Sequence, residues 1–335
     1  MQLFLVLLMK KIKKIDLVKD FSHKKYGFFK DASIQVCEWN KKALRGEGVC
    51  YKQDFYGAHT LSCHQITPVT FWCNNSCVFC WRLNEYMGPT PDKVTQGANP
   101  KEMIEGLILA RKKLLTGFKG HPKVSKSVFD ASQESRHWAI SLSGEPTLYK
   151  NLPKLIREIK NREGTETVFL VSNGQNPSML RRLKREDSLP TQLYISMVGP
   201  NESVYKSITC NSEKSGWLNY LESLALVPLI GTRTVIRLTL IKGINDKSEL
   251  VREFADILSA TGSDFIEVKS YMWLGFSRDR LSKTNMPSFE EIKSFALKLL
   301  ELLPNYKFES EKKNSRIVLL KRRDSKYKTK IIDRD

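Results

Sequence analysis

From residue 65 to residue 303 the chain alternates between two kinds of segment. Short β-rich apolar runs come first: "QITPVTFW" (65–72), "WAISLSG" (138–144), "TVFLVSNG" (167–174), "TQLYISMVG" (191–199), "TVIRLTLIKG" (234–243) and "DFIEVKSYMW" (264–273). Between them lie stretches with apolar residues at helical spacing. "NPKEMIEGLILARKKLL" (99–115) has Pro in its first turn, and "NLPKLIREIKNRE", "NPSMLRRLKRE", "SGWLNYLESLAL", "DKSELVREFADILSA" and "SFEEIKSFALKLLELL" follow the same logic. Six β-α units in series predict a parallel sheet with right-handed crossovers. The expected fold is α/β, a partial (βα)6 barrel of the TIM type, with a flat doubly wound sheet as the alternative. In either fold, ligands gather at the C-terminal ends of the strands. Those ends read "WCNNSC", "SGEPT", "SNGQN", "SMVGPN", "IKGIN" and "YMW". The expected organisation is a basic N-terminal extension (1–64), the barrel (65–310) and a basic C-terminal tail (311–335) with two short strands.

The loop after the first strand, "WCNNSCVFCWR" (72–82), holds three of the seven cysteines at C-x3-C-x2-C spacing. Thiolates so close together suit an iron–sulfur cluster or structural zinc. Three ligands leave one corner of a four-iron cube without a protein thiolate, and an open metal position marks reactive chemistry. Structural zinc would want a fourth ligand and usually paired C-x2-C units. Cys37, Cys50 and Cys63 form a second set, C-x12-C-x12-C. Three readings are open for them: buried free thiols, a Cys3His zinc site with His59 or His64, or a second cluster with an open iron. Cys210 fits neither set and reads as structural. An odd, clustered cysteine count argues for metal binding in a reducing compartment, not a disulfide framework.

The start, "MQLFLVLLMKKIKK", has an apolar run far short of the roughly 20 residues of a spanning helix. It lacks the positive flank and the cleavage site of a secretory signal, and Met9 is an alternative start. The expected location is the cytoplasm, without membrane contact. The balance of 55 Lys+Arg against 36 Asp+Glu gives a net charge of +19 and points to an anionic partner, nucleic acid above all. Basic runs at "KKIKK" (10–14), "NKKALR" (40–45), "RKKLL" (111–115) and "LKRRDSKYKTK" (320–330) are candidate backbone contacts. Trp81 and Arg82 are candidates to stack on or clamp a base or SAM, with core packing the competing reading for Trp81.

With Phe79 before Cys80, the motif resembles the C-x3-C-x-aromatic-C signature of the radical S-adenosylmethionine (SAM) superfamily. That resemblance implies a [4Fe-4S] cluster on Cys73, Cys77 and Cys80. It implies SAM contacts at Gly144, Glu145 and Pro146 and at Ser172, Asn173 and Gly174. "GEGVCYKQDFYG", "HQITP" and "WCNNSCVFCWR" together resemble the radical SAM tRNA 4-demethylwyosine synthases, over roughly residues 35 to 310. This closer likeness implies a second [4Fe-4S] cluster on Cys37, Cys50 and Cys63, and Lys52 as a Schiff-base lysine for pyruvate. It also implies a tRNA-Phe substrate carrying N1-methylguanosine next to the anticodon. The chain resembles the single-domain archaeal form without a flavodoxin domain, or a reduced eukaryotic one, so an external flavodoxin or ferredoxin-like electron donor is expected. The alternatives are another radical SAM enzyme with an auxiliary cluster, or a zinc-bearing RNA-binding protein.

Overall fold

The computed structural model describes residue 21 and residues 25–332. The run 10–14 and the apolar start lie outside them. Among the described residues the first strands form a hairpin, β1 (Tyr26–Phe29) and β2 (Ala32–Gln35), followed by two short helices, α1 (Glu38–Leu44) and α2 (Tyr51–Tyr56). Next come β3 (Cys63–Thr67), α3 (Lys93–Gly97), α4 (Pro100–Leu115), α5 (Lys126–Gln133) and β4 (His137–Ile140). The units α6 (Leu152–Lys160) and β5 (Thr167–Ser172), then α7 (Pro177–Arg185) and β6 (Gln192–Met197), continue the series. Helices α8 (Glu202–Thr209) and α9 (Gly216–Leu226) lead to β7 (Arg233–Leu240), and α10 (Leu250–Thr261) leads to β8 (Phe265–Ser270). Helix α11 (Phe289–Leu302) and the hairpin β9 (Tyr306–Lys312) and β10 (Ile317–Arg322) close the chain.

All six expected strands are present. They pair in parallel, each with its successor, from β3 to β8. A doubly wound sheet reverses strand order at a switch point. The order here runs β1 to β8, then β10 and β9, with no reversal in the parallel part. That order belongs to a barrel. Antiparallel hairpins extend both edges of the parallel part, and the end strands do not pair with each other among the described residues, so the barrel is partial. Sequence expectation held two of these four flanking strands, β9 and β10. The β1–β2 hairpin carries only four residues per strand, too few for a visible alternation.

Strand periodicity sorts the core into two layers. Val168, Leu170, Leu193, Ile195, Ile236, Leu238, Ile266 and Val268 face the helices in one buried cluster. Their alternates Phe169, Tyr194, Val235 and Phe265 face inward and meet Tyr51, Phe55 and Tyr56 of α2. Helix α2 therefore fills one end of the bore. The tail straps it in place: Ile331 N–H donates to the Tyr56 carbonyl at 3.0 Å, and the Arg233 guanidinium donates to the carbonyls of Lys328 and Thr329.

Candidate active site

The loop after β3 carries Cys73, Cys77 and Cys80 across the opposite end of the bore. Its backbone is clamped from several sides. Cys73 N–H donates to Gly88 O at 2.9 Å, and Ser76 and Val78 donate to Thr209 and Ile208 at the end of α8, both at 2.9 Å. Asn84 Nδ2 donates to Cys77 O at 2.9 Å. Arg280 reaches in from the loop after β8, donating to Val78 O at 3.1 Å, to Cys80 O and to Asn84 Oδ1. Nothing in "FSRDR" marks Arg280 for this role, because its partners lie some 200 positions earlier. Phe79 packs half-buried against the main core.

The "SGEPT" segment locks onto this loop. Gly144 has φ +66°, and a Cβ there would stand 2.0 Å from Val69 O and 2.4 Å from Trp72 O, so only glycine fits. Glu145 N–H donates to Trp72 O at 2.8 Å. Pro146 begins a buried single turn. The Glu145 carboxylate is buried and accepts from Thr147 Oγ1 (2.7 Å), Ser172 Oγ (2.9 Å) and Asn173 N–H (2.7 Å). Burial raises its pKa, against the pull of those donors. Gly174 N–H donates to Ser172 Oγ at 3.1 Å, and Asn173 Nδ2 meets Asn74 Oδ1 at 2.8 Å and approaches Cys73 Sγ at 3.9 Å. The structure thus sets Gly144, Glu145, Ser172, Asn173 and Gly174 beside the cysteine loop.

All seven cysteines are free thiols. Burial, then Glu145, pushes Cys73 up to about 12, and burial followed by Cys73 and Cys80 raises Cys77 well above its ordinary value. Cys80 is raised chiefly by burial. The second set behaves alike. Burial and Cys37 push Cys50 up to about 11 and Cys63 to about 12, and burial raises Cys37. Each triad is thus a group of mutually disfavouring thiols. A thiol in such a place gives up its proton when it coordinates a metal centre. Among the described residues no three His, Cys, Asp or Glu side chains converge for a single metal ion. His64 is committed elsewhere: its Nε2 pairs with Ser135 Oγ at 3.1 Å, its Nδ1 lies 3.4 Å from Ser62 O, and its ring rests on Trp138. Cys210 ends α8 in the left-handed conformation, is exposed, and lies near enough to raise Cys77 further.

Arg111, expected on a basic surface, is 2% exposed. Its Nη2 donates to Leu61 O at 2.8 Å, while its Nε and Nη1 are buried without a partner. Burial lowers its pKa to about 10, against the pull of Cys63 and Cys37. A buried guanidinium with orphaned donors beside three thiols fits an anionic centre with sulfur acceptors between them. Arg82, proposed as a clamp, is also buried; it donates to Leu142 O at 2.8 Å and stacks on Trp81 and Tyr26. Trp81 itself is 40% exposed.

Lys52 is the second residue of α2 and lies two residues beyond Cys50, its Nζ 4.3 Å from the Phe169 ring centre and 4.8 Å from that of Tyr194. Burial and the neighbouring Arg237 lower its pKa. Above it stands a charged layer that the sequence reading missed. Glu267, wholly buried, accepts from Tyr56 OH (2.7 Å) and Arg237 Nε (2.8 Å), and Arg237 Nη2 donates to Tyr51 OH at 2.6 Å.

Comparison with known proteins closes the identification. Residues 67–255 match the radical SAM superfamily, and residues 260–322 match the family described as wyosine base formation. The S-adenosyl-L-methionine-dependent tRNA 4-demethylwyosine synthase of Pyrococcus abyssi is 41% identical over 88% of this chain and 84% of its own length. The chain belongs to the radical SAM tRNA 4-demethylwyosine synthase family. The Methanocaldococcus jannaschii member is 33% identical over 94% of this chain and 99% of its own. A solved TYW1 structure with a lysine–pyruvate adduct bound superposes with a TM-score of 0.83, at 33% identity, over 95% of this chain and 99% of that one. Within the family frame, the wyosine segment supplies Glu267 to the charged layer and Arg280 to the cysteine-loop clamp. Radical SAM membership implies SAM and one [4Fe-4S] cluster.

Proposed function

We propose that this chain is a carbon–carbon lyase that builds 4-demethylwyosine in tRNA, joining N1-methylguanosine next to the anticodon of tRNA-Phe with pyruvate. Supporting this reading are the family, the relatives' names and the lysine–pyruvate adduct of the related structure. The observation that carries it is Lys52, placed on aromatic faces in a barrel bore close to a second thiol triad. Cys73, Cys77 and Cys80 hold the first cluster; Gly144, Glu145, Pro146, Ser172, Asn173 and Gly174 shape the SAM site beside it. Cys37, Cys50 and Cys63 hold a second [4Fe-4S] cluster, with Arg111 donating to it. Once bound, the first cluster and SAM supply the deoxyadenosyl radical that removes hydrogen from the N1-methyl group.

The chain's own residues do the rest by position and by proton control. Desolvation favours the neutral amine of Lys52. Its nitrogen attacks the keto carbon of pyruvate, water leaves, and the imine holds that carbon where the substrate methyl can reach it. Phe169 and Tyr194 keep water from the amine. Trp81, exposed beside the cysteine loop, stacks on a base drawn out of the anticodon loop. Residues 1–64 serve as the cluster-bearing extension, 65–310 as the barrel and 311–335 as the tail. Electrons come from an external flavodoxin or ferredoxin-like protein, and the reaction runs in the cytoplasm; among the described residues no helix is long and apolar enough to cross a membrane.

The test is anaerobic incubation with SAM, reductant, pyruvate and methylated tRNA, followed by mass analysis of nucleosides. The expected product is 4-demethylwyosine. Cleavage of SAM without a modified nucleoside would leave a radical SAM enzyme with another substrate.

A further inference from the structure

The inner face of the barrel changes character along its length. Near α2 it is aromatic and buried: Phe169, Tyr194, Val235 and Phe265. One step further toward the cysteine loop, the inward positions are Val171, Ser196, Arg237, Thr239 and Lys269, and all five are partly exposed. The same strands are otherwise buried. This part of the bore is therefore an open chamber, with Lys52 at its aromatic floor.

The charges of the chamber do not cancel. Glu267 is the acid of this layer. Its carboxylate is already filled by Tyr51, Tyr56 and Arg237. Against it stand three basic side chains. Lys269 Nζ donates to Ser315 O at 2.8 Å and has no acidic partner among the described residues. Lys52 rests only on rings. Arg237 uses Nε and Nη2 on Glu267 and Tyr51, which fix the plane of its guanidinium, and it keeps a partly exposed edge toward the chamber. Arg237 Cζ lies 4.5 Å from the centre of the Tyr194 ring, the ring that also carries Lys52 Nζ at 4.8 Å. The Lys52 amine and the Arg237 guanidinium thus share one aromatic wall.

We infer that Arg237, held rigid by Glu267 and Tyr51 and assisted by Lys269, is the carboxylate-binding subsite for the 2-oxo acid whose keto carbon Lys52 attacks. This inference rests on the reading of Lys52 given above. A 2-oxo acid carries its carboxylate one bond from the keto carbon, so a fixed cation beside the amine selects such acids over neutral ketones and sets which face the amine meets. The fork of an arginine, already oriented by a buried carboxylate, loses little freedom on binding.

Two measurements on the anaerobically reconstituted chain separate this inference from its premise. Equilibrium dialysis with labelled pyruvate reads the carboxylate subsite without any covalent step. Borohydride trapping, read by peptide mass, reads the imine at Lys52, with pyruvate and with acetone as a neutral ketone. Removing Arg237 alone would strand the buried Glu267 charge, so the informative chain is Arg237→Gln with Glu267→Gln, checked for retained iron and unchanged melting. The double variant should need at least about tenfold more pyruvate for half-saturation in both measurements, while acetone trapping, compared at a pH high enough to leave Lys52 neutral in both chains, stays as in the wild type. Lys269→Met should raise the pyruvate requirement by a smaller factor. Pyruvate binding within twofold of wild type in the double variant would overturn the inference and place the carboxylate elsewhere, on the second cluster for example. Parallel loss of acetone trapping would also overturn it, since Arg237 would then only hold Lys52 in place. If pyruvate binds the wild type with no adduct at Lys52, the Schiff-base reading fails alone, and the dialysis ratio still decides for or against Arg237.

Discussion

The two cysteine triads are built by opposite means. Cys73, Cys77 and Cys80 lie on one loop, and the chain between them is short enough to bring their thiols together by itself. Cys37 precedes α1, Cys50 precedes α2 and Cys63 opens β3, so the second triad exists only once two helices and a strand have packed. The first triad is local, with distant residues such as Arg280 merely holding it still. The second is tertiary, and it inherits its surroundings, Arg111 from α4 and Lys52 from α2, from the same packing. The comparison teaches that reactivity and substrate capture are separable here. In the proposed function, radical generation sits on a motif and pyruvate capture on a fold.

The largest effect should follow from the local triad. Cys73→Ala, Cys77→Ala or Cys80→Ala removes one of the three thiols proposed to hold the first cluster. We expect no 5′-deoxyadenosine release above background, measured by chromatography after reduction with SAM. Release at the wild-type rate would break the assignment of this loop.

Lys52→Arg separates the two functions most sharply. Arginine keeps the positive charge and the reach, but its guanidinium stays protonated and is a poor nucleophile. Both clusters should remain, SAM should still be cleaved, and neither 4-demethylwyosine nor a borohydride-trapped pyruvate should appear. A variant that makes product at near wild-type rate would reduce Lys52 to a point charge.

Replacing Cys37, Cys50 and Cys63 together by Ala should halve the iron and sulfide content and stop product formation. SAM cleavage should survive, because no thiol of this triad touches the first site's electrostatics. Iron content equal to wild type would show that these thiols hold no cluster.

A smaller effect should come from Arg111→Gln. Second-shell partners of metal ligands typically account for about 10–100-fold in metal affinity. Iron at the second site should therefore be lost faster to a chelator, and that cluster's reduction potential should fall, because a buried cation favours the more negative, reduced state. The first cluster's spectrum should be unchanged. Equal loss from both clusters would mean that Arg111 supports the fold rather than its own site.

Much of this was legible in the sequence, for the same reason that the triads differ. The six parallel strands and the cysteine loop are local patterns, and each was readable from one segment. The amide and carboxylate contacts of Glu145 with Ser172 and Asn173 were also foreseeable, because barrel topology sets consecutive strand ends side by side. Arg111 was misread as surface because it begins a basic run. Helical spacing contradicts that: Ile104, Leu107, Ile108, Arg111 and Leu115 form one buried stripe. The charged layer was similarly open to view. In "RTVIRLTL" and "FIEVKS" the positions of Arg237, Thr239, Glu267 and Lys269 put polar residues at every second place in strands otherwise fit for burial on both faces, which is the mark of a lined bore. Arg280 and the C-terminal strap carried no such signal, since only the folded chain brings their partners near.

The smallest effect tests whether the tertiary triad depends on how α2 is seated. Gly57 ends α2 at φ +76°, and a Cβ there would come 2.2 Å from the Ile332 carbonyl of the strap. Gly57→Ala meets two costs. The left-handed backbone disfavours alanine by about 1–2 kcal/mol, and the strap must shift away from the Tyr56 carbonyl that Ile331 now binds. The melting temperature should drop by a few degrees on the order expected for that loss. Because α2 carries Lys52 and follows Cys50, iron retention at the second site and borohydride trapping of pyruvate should decline together. The cysteine loop at the far end of the bore shares no contact with Gly57, so 5′-deoxyadenosine release should be untouched. If Gly57→Ala instead slowed SAM cleavage as much as pyruvate trapping, the two ends of the barrel would be mechanically coupled, and the separation of radical generation from substrate capture would not hold.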